Sequence, residues 1–382
     1  MKKLDAVGRT ATRPRGLLVA LLALALLVAA TATASAAPAK TAHGWSAKRV
    51  QQLIRTMTLD EKLSFVSGRS DPEGMGEAGY IPGVPRLGIP PLRLTDGPAG
   101  VRLLNKTGST ALPAPVALAS SFDDQLARQY GAVLGRDTRA FGQDVILGPM
   151  TNIIRVPFGG RNFETFSEDP LLSEHMTASE VQGIQSQGAI ATVKHYAENN
   201  QEDNRMGVDV NVDEQTLRQI ELPPFQAAVD AGVGAVMCAY NSVNGQHACS
   251  HNELLNNILK TEWGFQGSVM SDWGATHATT DILAGLDQEM FNIGVQPAHM
   301  AADLKAAIQG GTIPESALDR AVSRILGQMQ RFGLLDGAAT DRRSATRMPR
   351  QGLRSRSPNR GRFCSRTRRA HCRSTRATAA SA

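Results

Sequence analysis

The chain has 382 residues, 42% of them hydrophobic, and a formal charge of +6. That length allows one large α/β domain or two smaller ones. The positive total misleads: residues 341–382 hold 13 Arg against one Asp (+12) and residues 1–39 hold five basic residues against Asp5 (+4), so residues 40–340 carry −10. An acidic body excludes the basic footprint of a nucleic-acid-binding domain.

In chain order, the first element is a leader. Lys2, Lys3, Arg9, Arg13 and Arg15 precede a continuous apolar run from Leu17 to Ala30, and Ala34-Ser35-Ala36 follows as a small-x-small cleavage site. This is the pattern of a secretory signal peptide over 1–39. Its 14 apolar residues fall short of the roughly 20 that cross a bilayer, so a secreted or extracytoplasmic protein without a stable membrane anchor is expected. Helical spacing of Val50, Leu53, Ile54 and Met57 predicts a helix over 45–57. Thr58 with Glu61 three residues on is a capping box for a second helix over 59–66. A Gly/Pro-rich loop, 68–90, leads to the first predicted strand, 91–95.

From there strands and helices alternate. The pattern predicts helix 121–141, strand 144–149, helix 170–187, strand 189–194, helix 213–231 and strand 233–240. It continues with helix 251–262, strand 267–271, helix 276–283, a short strand near 284–289, and helices near 297–309 and 314–333. Glu221-Leu-Pro-Pro224 should bend the 213–231 helix. Repeated βα units over 45–335 predict a (β/α)8 barrel of the TIM type, with room for irregularity in its last element. A doubly wound sheet is the alternative that pattern alone leaves. Residues 341–382 have few apolar residues and no period, and read as a disordered, Arg-rich tail with the look of a frame-shifted end.

Barrel enzymes gather their polar groups at the C-terminal ends of strands, and five apolar runs here end that way. Asp96 follows the first strand, and Arg155 and Arg161 the second. Lys194-His195 close the third, Tyr240-Asn241 the fourth, and Asp272 beside Trp273 the fifth. His195 has no second His or Cys at ligand spacing, so neither a metal nor another cofactor is expected. Cys238 and Cys249 lie 11 residues apart on either side of the loop after Tyr240. An exported chain permits a disulfide there; two buried thiols are the alternative. Cys364 and Cys372 sit in the tail.

These stretches together resemble the N-terminal barrel of family 3 glycoside hydrolases, the β-glucosidase and β-xylosidase group. The resemblance is carried by Leu94-Thr-Asp-Gly-Pro-Ala-Gly-Val-Arg102, by Gly159-Gly-Arg-Asn-Phe-Glu164 with Ser167-Glu-Asp-Pro170, and by Lys194-His-Tyr196. Met237-Cys-Ala-Tyr-Asn241, Ser271-Asp-Trp-Gly274 and Gly285-Leu-Asp-Gln-Glu-Met290 complete the series in the family's order. It implies Asp272 as the nucleophile of a retaining, exo-acting enzyme that removes terminal β-D-glucosyl residues from oligosaccharides or aryl β-glucosides. It implies Asp96, Arg161, Lys194 and His195 as the sugar-hydroxyl clamp, with Tyr240 beside Asp272 and Trp273 as an aromatic face for sugar or aglycone. A lone Trp273 in half-buried packing is the other reading. Arg102, Arg155, Glu164 and Asp169 are expected behind them as ion pairs that hold the loops. Asp287 and Glu289 are expected to complete polar contacts at the next strand end. Secreted relatives of fungal type carry cysteines where Cys238 and Cys249 stand.

One departure qualifies the implication. The family's β-glucosidases take their acid/base Glu from a second, α/β sandwich domain, for which this chain has no room. The loop Tyr196-Ala-Glu-Asn-Asn-Gln-Glu-Asp-Asn204 also lacks the Gly/Pro and second His that another subgroup uses instead. Glu198, Glu202 and Asp203 are the nearby carboxylates. The expectation is a nucleophile without its acid, poor turnover of natural glucosides, and oligomers through a bare interdomain face. A β-xylosidase and a non-catalytic, carbohydrate-binding remnant are the competing readings.

Overall fold

The computed structural model describes residues 47–290 and 298–336. The leader over 1–39 and the Arg-rich segment 341–382, with Cys364 and Cys372, lie outside the described residues. Six strands form one sheet, in the order β1 (Gly79–Ile81), β2 (Leu92–Asp96), β3 (Val145–Leu147), β4 (Ile190–Tyr196), β6 (Ala235–Cys238) and β9 (Ser268–Ser271). From β2 onward every pair is parallel; β1 alone runs antiparallel to its neighbour. The small strands β5 (Asp209–Val210), β7 (Ser242–Val243) and β8 (Gln246–His247) make a separate sheet.

The large sheet curls, and two short segments span the gap between its edges. Ser271 N donates to Gln288 O and Glu289 N to Val66 O, while Gly68 N returns to Glu289 O and Arg69 N to Tyr80 O. The result is an irregular (β/α) barrel, not the open doubly wound sheet that the pattern alone allowed. The expected strand near 284–289 is reduced to bridges at Gln288 and Glu289.

Short, mostly apolar runs explain the parallel strands: β3, β4, β6 and β9 are buried along their whole length, as both faces of a covered parallel sheet must be. Helices Asp124–Ala140 and Pro170–Gln185 carry the first two crossovers between them and pack closely. Gly131 and Gly183 permit this, since a Cβ on either would come within about 2.2 Å of a facing carbonyl oxygen. The capping box at Thr58 and Glu61 is present. The helix expected over 213–231 is broken where Pro223 and Pro224 stand, into Glu214–Thr216, a wider turn Leu217–Glu221, and Pro223–Asp230. The helix expected over 276–283 shrinks to Asp281–Ala284. Among the described residues no helix is long and apolar enough to cross a membrane.

Candidate active site

The site's polar groups come from the C-terminal ends of strands and from the loops that follow them. Asp96 is the last residue of β2, and the chain turns at once through Gly97, whose φ of 127° and 1.7 Å approach to Gly100 O exclude any side chain. That turn lays Gly97 to Gly100 and Arg102 along one wall of a cavity of about 650 Å3. Lys194 and His195 lie inside β4, where the register against β6 slips between Lys194 and Tyr196. The slip takes the His195 backbone out of the ladder, and a buried N–H and C=O need other partners. Asn152 supplies both: its Oδ1 accepts from His195 N at 2.8 Å and its Nδ2 donates to His195 O at 2.9 Å. The Lys194–His195 and Tyr196–Ala197 peptides are cis.

Asp272 follows β9 at the floor of the cavity, and only 8% of it is exposed. Its Oδ1 accepts from Trp273 N at 2.8 Å, and its Oδ2 lies 3.4 Å from His195 Nε2. Burial pushes its carboxyl above the usual range, while Lys194, the Trp273 N–H, the Tyr240 hydroxyl and Arg205 pull it back. Trp273 O, 3.0 Å from the Tyr240 hydroxyl, is the other acceptor within reach of its single proton, and the Arg205 guanidinium lies 4.6 Å from the Tyr240 ring centroid. His195 is held well below its ordinary pKa, first by burial and then by Lys194, Arg161 and Arg205, so it is neutral. Lys194 Nζ reaches Asp96 Oδ1 at 3.4 Å. Arg161 is gripped by Glu164 through its Nη2 at 2.7 Å and Nε at 3.3 Å.

Asp96, Arg161, Lys194, His195, Asp272 and Trp273 therefore line one cavity. Tyr240 stands behind Asp272 rather than in the lining. The Trp273 indole rests against β1 because residue 79 is glycine; a Cβ there would be 3.1 Å from the ring. Residues expected behind the clamp divide three ways. Glu164 pairs with Arg161, and Arg155 with Glu221 at 3.5 Å. Arg102 itself lines the cavity. Asp169 holds no loop ion pair: it caps the helix Pro170–Gln185, accepting from Leu171 N at 2.9 Å, because the first helical turn has N–H groups without partners. Asp287 accepts from Lys260 and Val269 N, and Glu289 from His299 N and Met300 N. Cys238 and Cys249 are joined by a disulfide.

The spare carboxylates are not over the cavity. Glu198 turns away and is buried against Glu221; Glu202 binds Arg205 at 2.6 Å; Asp203 is exposed. Sequence reasoning missed Asn152, Asn199 and Arg205. The strand-end rule that found Arg155 would have found Asn152, and a polar loop directly after Lys194-His195 was the signal for the other two. Among the described residues no group of three or more His, Cys, Asp or Glu side chains could hold a metal.

Comparison with known proteins agrees with this geometry. Residues 83–327 match the glycosyl hydrolase family 3 N terminal domain. The chain is 42% identical over 291 residues to thermostable β-glucosidase B of Acetivibrio thermocellus, covering 72% of this chain and 37% of the relative. Among solved structures it resembles the β-glucosidase DesR from Streptomyces venezuelae, determined with D-glucose (55% identity, TM-score 0.73, covering 75% of this chain and 38% of that one). It also resembles a β-D-glucoside glucohydrolase from Trichoderma reesei (36% identity, TM-score 0.72, 78% and 42%). The chain thus spans about two fifths of the length of each relative.

Proposed function

Because the chain belongs to glycosyl hydrolase family 3, we propose that its cavity binds the terminal glucosyl unit of a β-glucoside and that Asp272 attacks it. The observation that carries this reading is the Asp272 carboxyl itself: buried at the cavity floor, yet faced by Lys194 and Arg205 and held by the Trp273 N–H. A nucleophile must be ionised where the sugar excludes water, and cations supply that. Asp96 offers paired acceptors to adjacent hydroxyls, while Lys194, Arg161 and Arg102 offer donors from fixed directions. Trp273 gives the apolar ring face a surface.

In the first step a carboxylate oxygen of Asp272 bonds to the anomeric carbon while the bond to the glycosidic oxygen breaks. The electron pair leaves on that oxygen, which in a natural glucoside must take a proton from a general acid. Glu164 is tied to Arg161 and Asp96 faces Lys194, so both serve here as acceptors. From an aryl glucoside with an acidic phenol, the phenolate leaves without needing a proton.

The test is a dinitrophenyl 2-fluoroglucoside offered to the full chain, followed by peptide mass spectrometry. We expect a covalent fluoroglucosyl ester on Asp272, with cellobiose turnover lower than that of the aryl glucoside by about 10²–10⁴-fold, the usual worth of a general acid. Glucose binding without label would leave a carbohydrate-binding domain instead. Faster reaction with the xyloside than the glucoside would move the substrate to xylose. Export directed by residues 1–39 is part of the proposal, and N-terminal sequencing of secreted protein checks it.

A further inference from the structure

His195 has contacts on both ring nitrogens, and the Nδ1 side decides where its proton sits. Its Nε2 lies 3.4 Å from an acceptor, Asp272 Oδ2, and from a donor, Arg161 Nη1, so that side alone admits either tautomer. Its Nδ1 faces Asn199 Nδ2, also at 3.4 Å. The orientation of the Asn199 amide is decided on its other side, where the same Nδ2 donates to Glu202 Oε1 at 3.2 Å. Glu202 is ionic, bound to Arg205 at 2.6 Å and 3.6 Å from Arg161. Turning the amide over would set its oxygen 3.2 Å from a carboxylate oxygen, a repulsion in a site where Asn199 is only 2% exposed. The amide N–H groups must therefore point at Nδ1, which then has to accept.

We propose that Asn199, oriented by Glu202, is a positioning residue that fixes His195 as the neutral Nε2–H tautomer. The Nε2–H then donates to Asp272 Oδ2 when the cavity is empty and to a hydroxyl oxygen when sugar fills it. A bare Nε2 would accept from Arg161 instead, but would set a lone pair against the nucleophile's oxygen and leave Nδ1–H facing the Asn199 amide N–H. The Asn152 clasp holds the His195 backbone and the Asn199 contact sets its ring: one fixes place, the other proton. The tautomer stands on hydrogen-bond logic alone, while its meaning for catalysis rests on the glucosidase reading. The two are therefore tested separately.

The chain has eight His, few enough for histidine-selective 15N labelling and NMR, with His195 identified by the signals lost in His195→Gln. In the wild type we expect the His195 Nε2 to carry the proton and Nδ1 to show the shift of a bare ring nitrogen. Asn199→Asp puts a carboxylate at Nδ1 and should move the proton there. It should also slow fluoroglucosyl labelling of Asp272 about 10- to 10²-fold, the scale of a misaligned reacting group. Should Asn199→Asp fail to fold, Glu202→Gln serves, since it frees the amide to turn and predicts a mixture of tautomers. A wild-type Nδ1–H, or an unchanged proton position in a folded Asn199→Asp, overturns the proposal. A wild-type Nε2–H in a protein that neither binds glucose nor takes label would leave the tautomer intact and sink the glucosidase reading instead.

Discussion

Two buried carboxyl sites lie near the end of β4, Asp272 against His195 and Glu198 in the turn just after Tyr196, and they are built to opposite ends. At Asp272 burial raises the carboxyl, and Lys194, the Trp273 N–H, Tyr240 and Arg205 oppose it. At Glu198, 5% exposed, burial also raises the carboxyl, but the next influence is the Glu221 carboxylate, and only half-exposed Arg155 opposes the two. Glu198 is pushed up to about 8, and Glu221 is raised as well, with Asn200 and Arg155 drawing it back. Equal burial therefore yields a carboxylate poised to react where cations surround it, and a proton held between two carboxyls where they do not. Neighbours, not depth, decide which buried carboxyl can be a nucleophile.

The largest effect should come from removing the cation that distinguishes the two sites. Lys194→Met takes away the strongest charge opposing the burial of Asp272. The carboxyl then rises further, a smaller fraction is ionised at a given pH, and the acidic limb of the labelling rate moves to higher pH by about one unit or more. Labelling at mildly acid pH should fall about 10²-fold, because a donor to the sugar is lost as well. A pH profile of label incorporation measures this. An unmoved acidic limb would mean that Arg205 and the Trp273 N–H suffice, and the contrast drawn here would lose its cause.

The opposite site should respond in stability rather than chemistry. Glu198 has an unfolded value near 4.5 and a folded value of about 8. Between those values the folded chain holds a proton that the unfolded chain has released, so this group's contribution to stability falls as pH rises from about 4.5 to about 8 and is level above. Glu198→Gln removes that slope. The variant should match the parent near pH 4 and exceed it by about 1–3 kcal/mol at pH 8, a gain of a few °C in Tm. Thermal melts across pH read it out, and label incorporation should be unchanged.

Neither carboxyl site could be told from the other in the sequence, and the reason is separation. The parallel strands were legible because each is a short apolar run ending on a polar residue, and those ends gave Asp96, Lys194, His195 and Asp272 directly. β1 was hidden in a Gly/Pro-rich loop, since three residues carry no period. The small sheet of β5, β7 and β8 was hidden for the same reason. Asp169 looked like an ion-pair partner because an acid before Pro-Leu-Leu is equally a helix cap. Glu198 and Glu221 are 23 positions apart, and Asn152 and His195 are 43 apart. Nothing in a local pattern says that such pairs meet; only the closed packing of the βα units brings them together.

The finest test of the contrast is whether Glu198 and Glu221 behave as one titrating unit. If they share a proton, removing either carboxyl should relieve the same repulsion, and removing both should add little. Glu221→Gln keeps an oxygen to accept from Asn200 Nδ2, now 2.8 Å from Glu221 Oε2, and loses only a long contact with a half-exposed arginine, which is worth a fraction of a kcal/mol. Glu221→Gln should therefore stabilise at pH 8 almost as much as Glu198→Gln. The double variant should lie within about 0.5 kcal/mol of the better single one, well short of the sum. Denaturant unfolding of the four proteins at pH 8 and again near pH 4 closes the cycle. At pH 8 the interaction energy should be destabilising in the parent, and near pH 4, where both carboxyls are protonated, it should vanish. Additive gains at pH 8 would show two carboxyls titrating independently. The high value for Glu198 would then come from burial alone, and the two sites would differ only in the cations around Asp272.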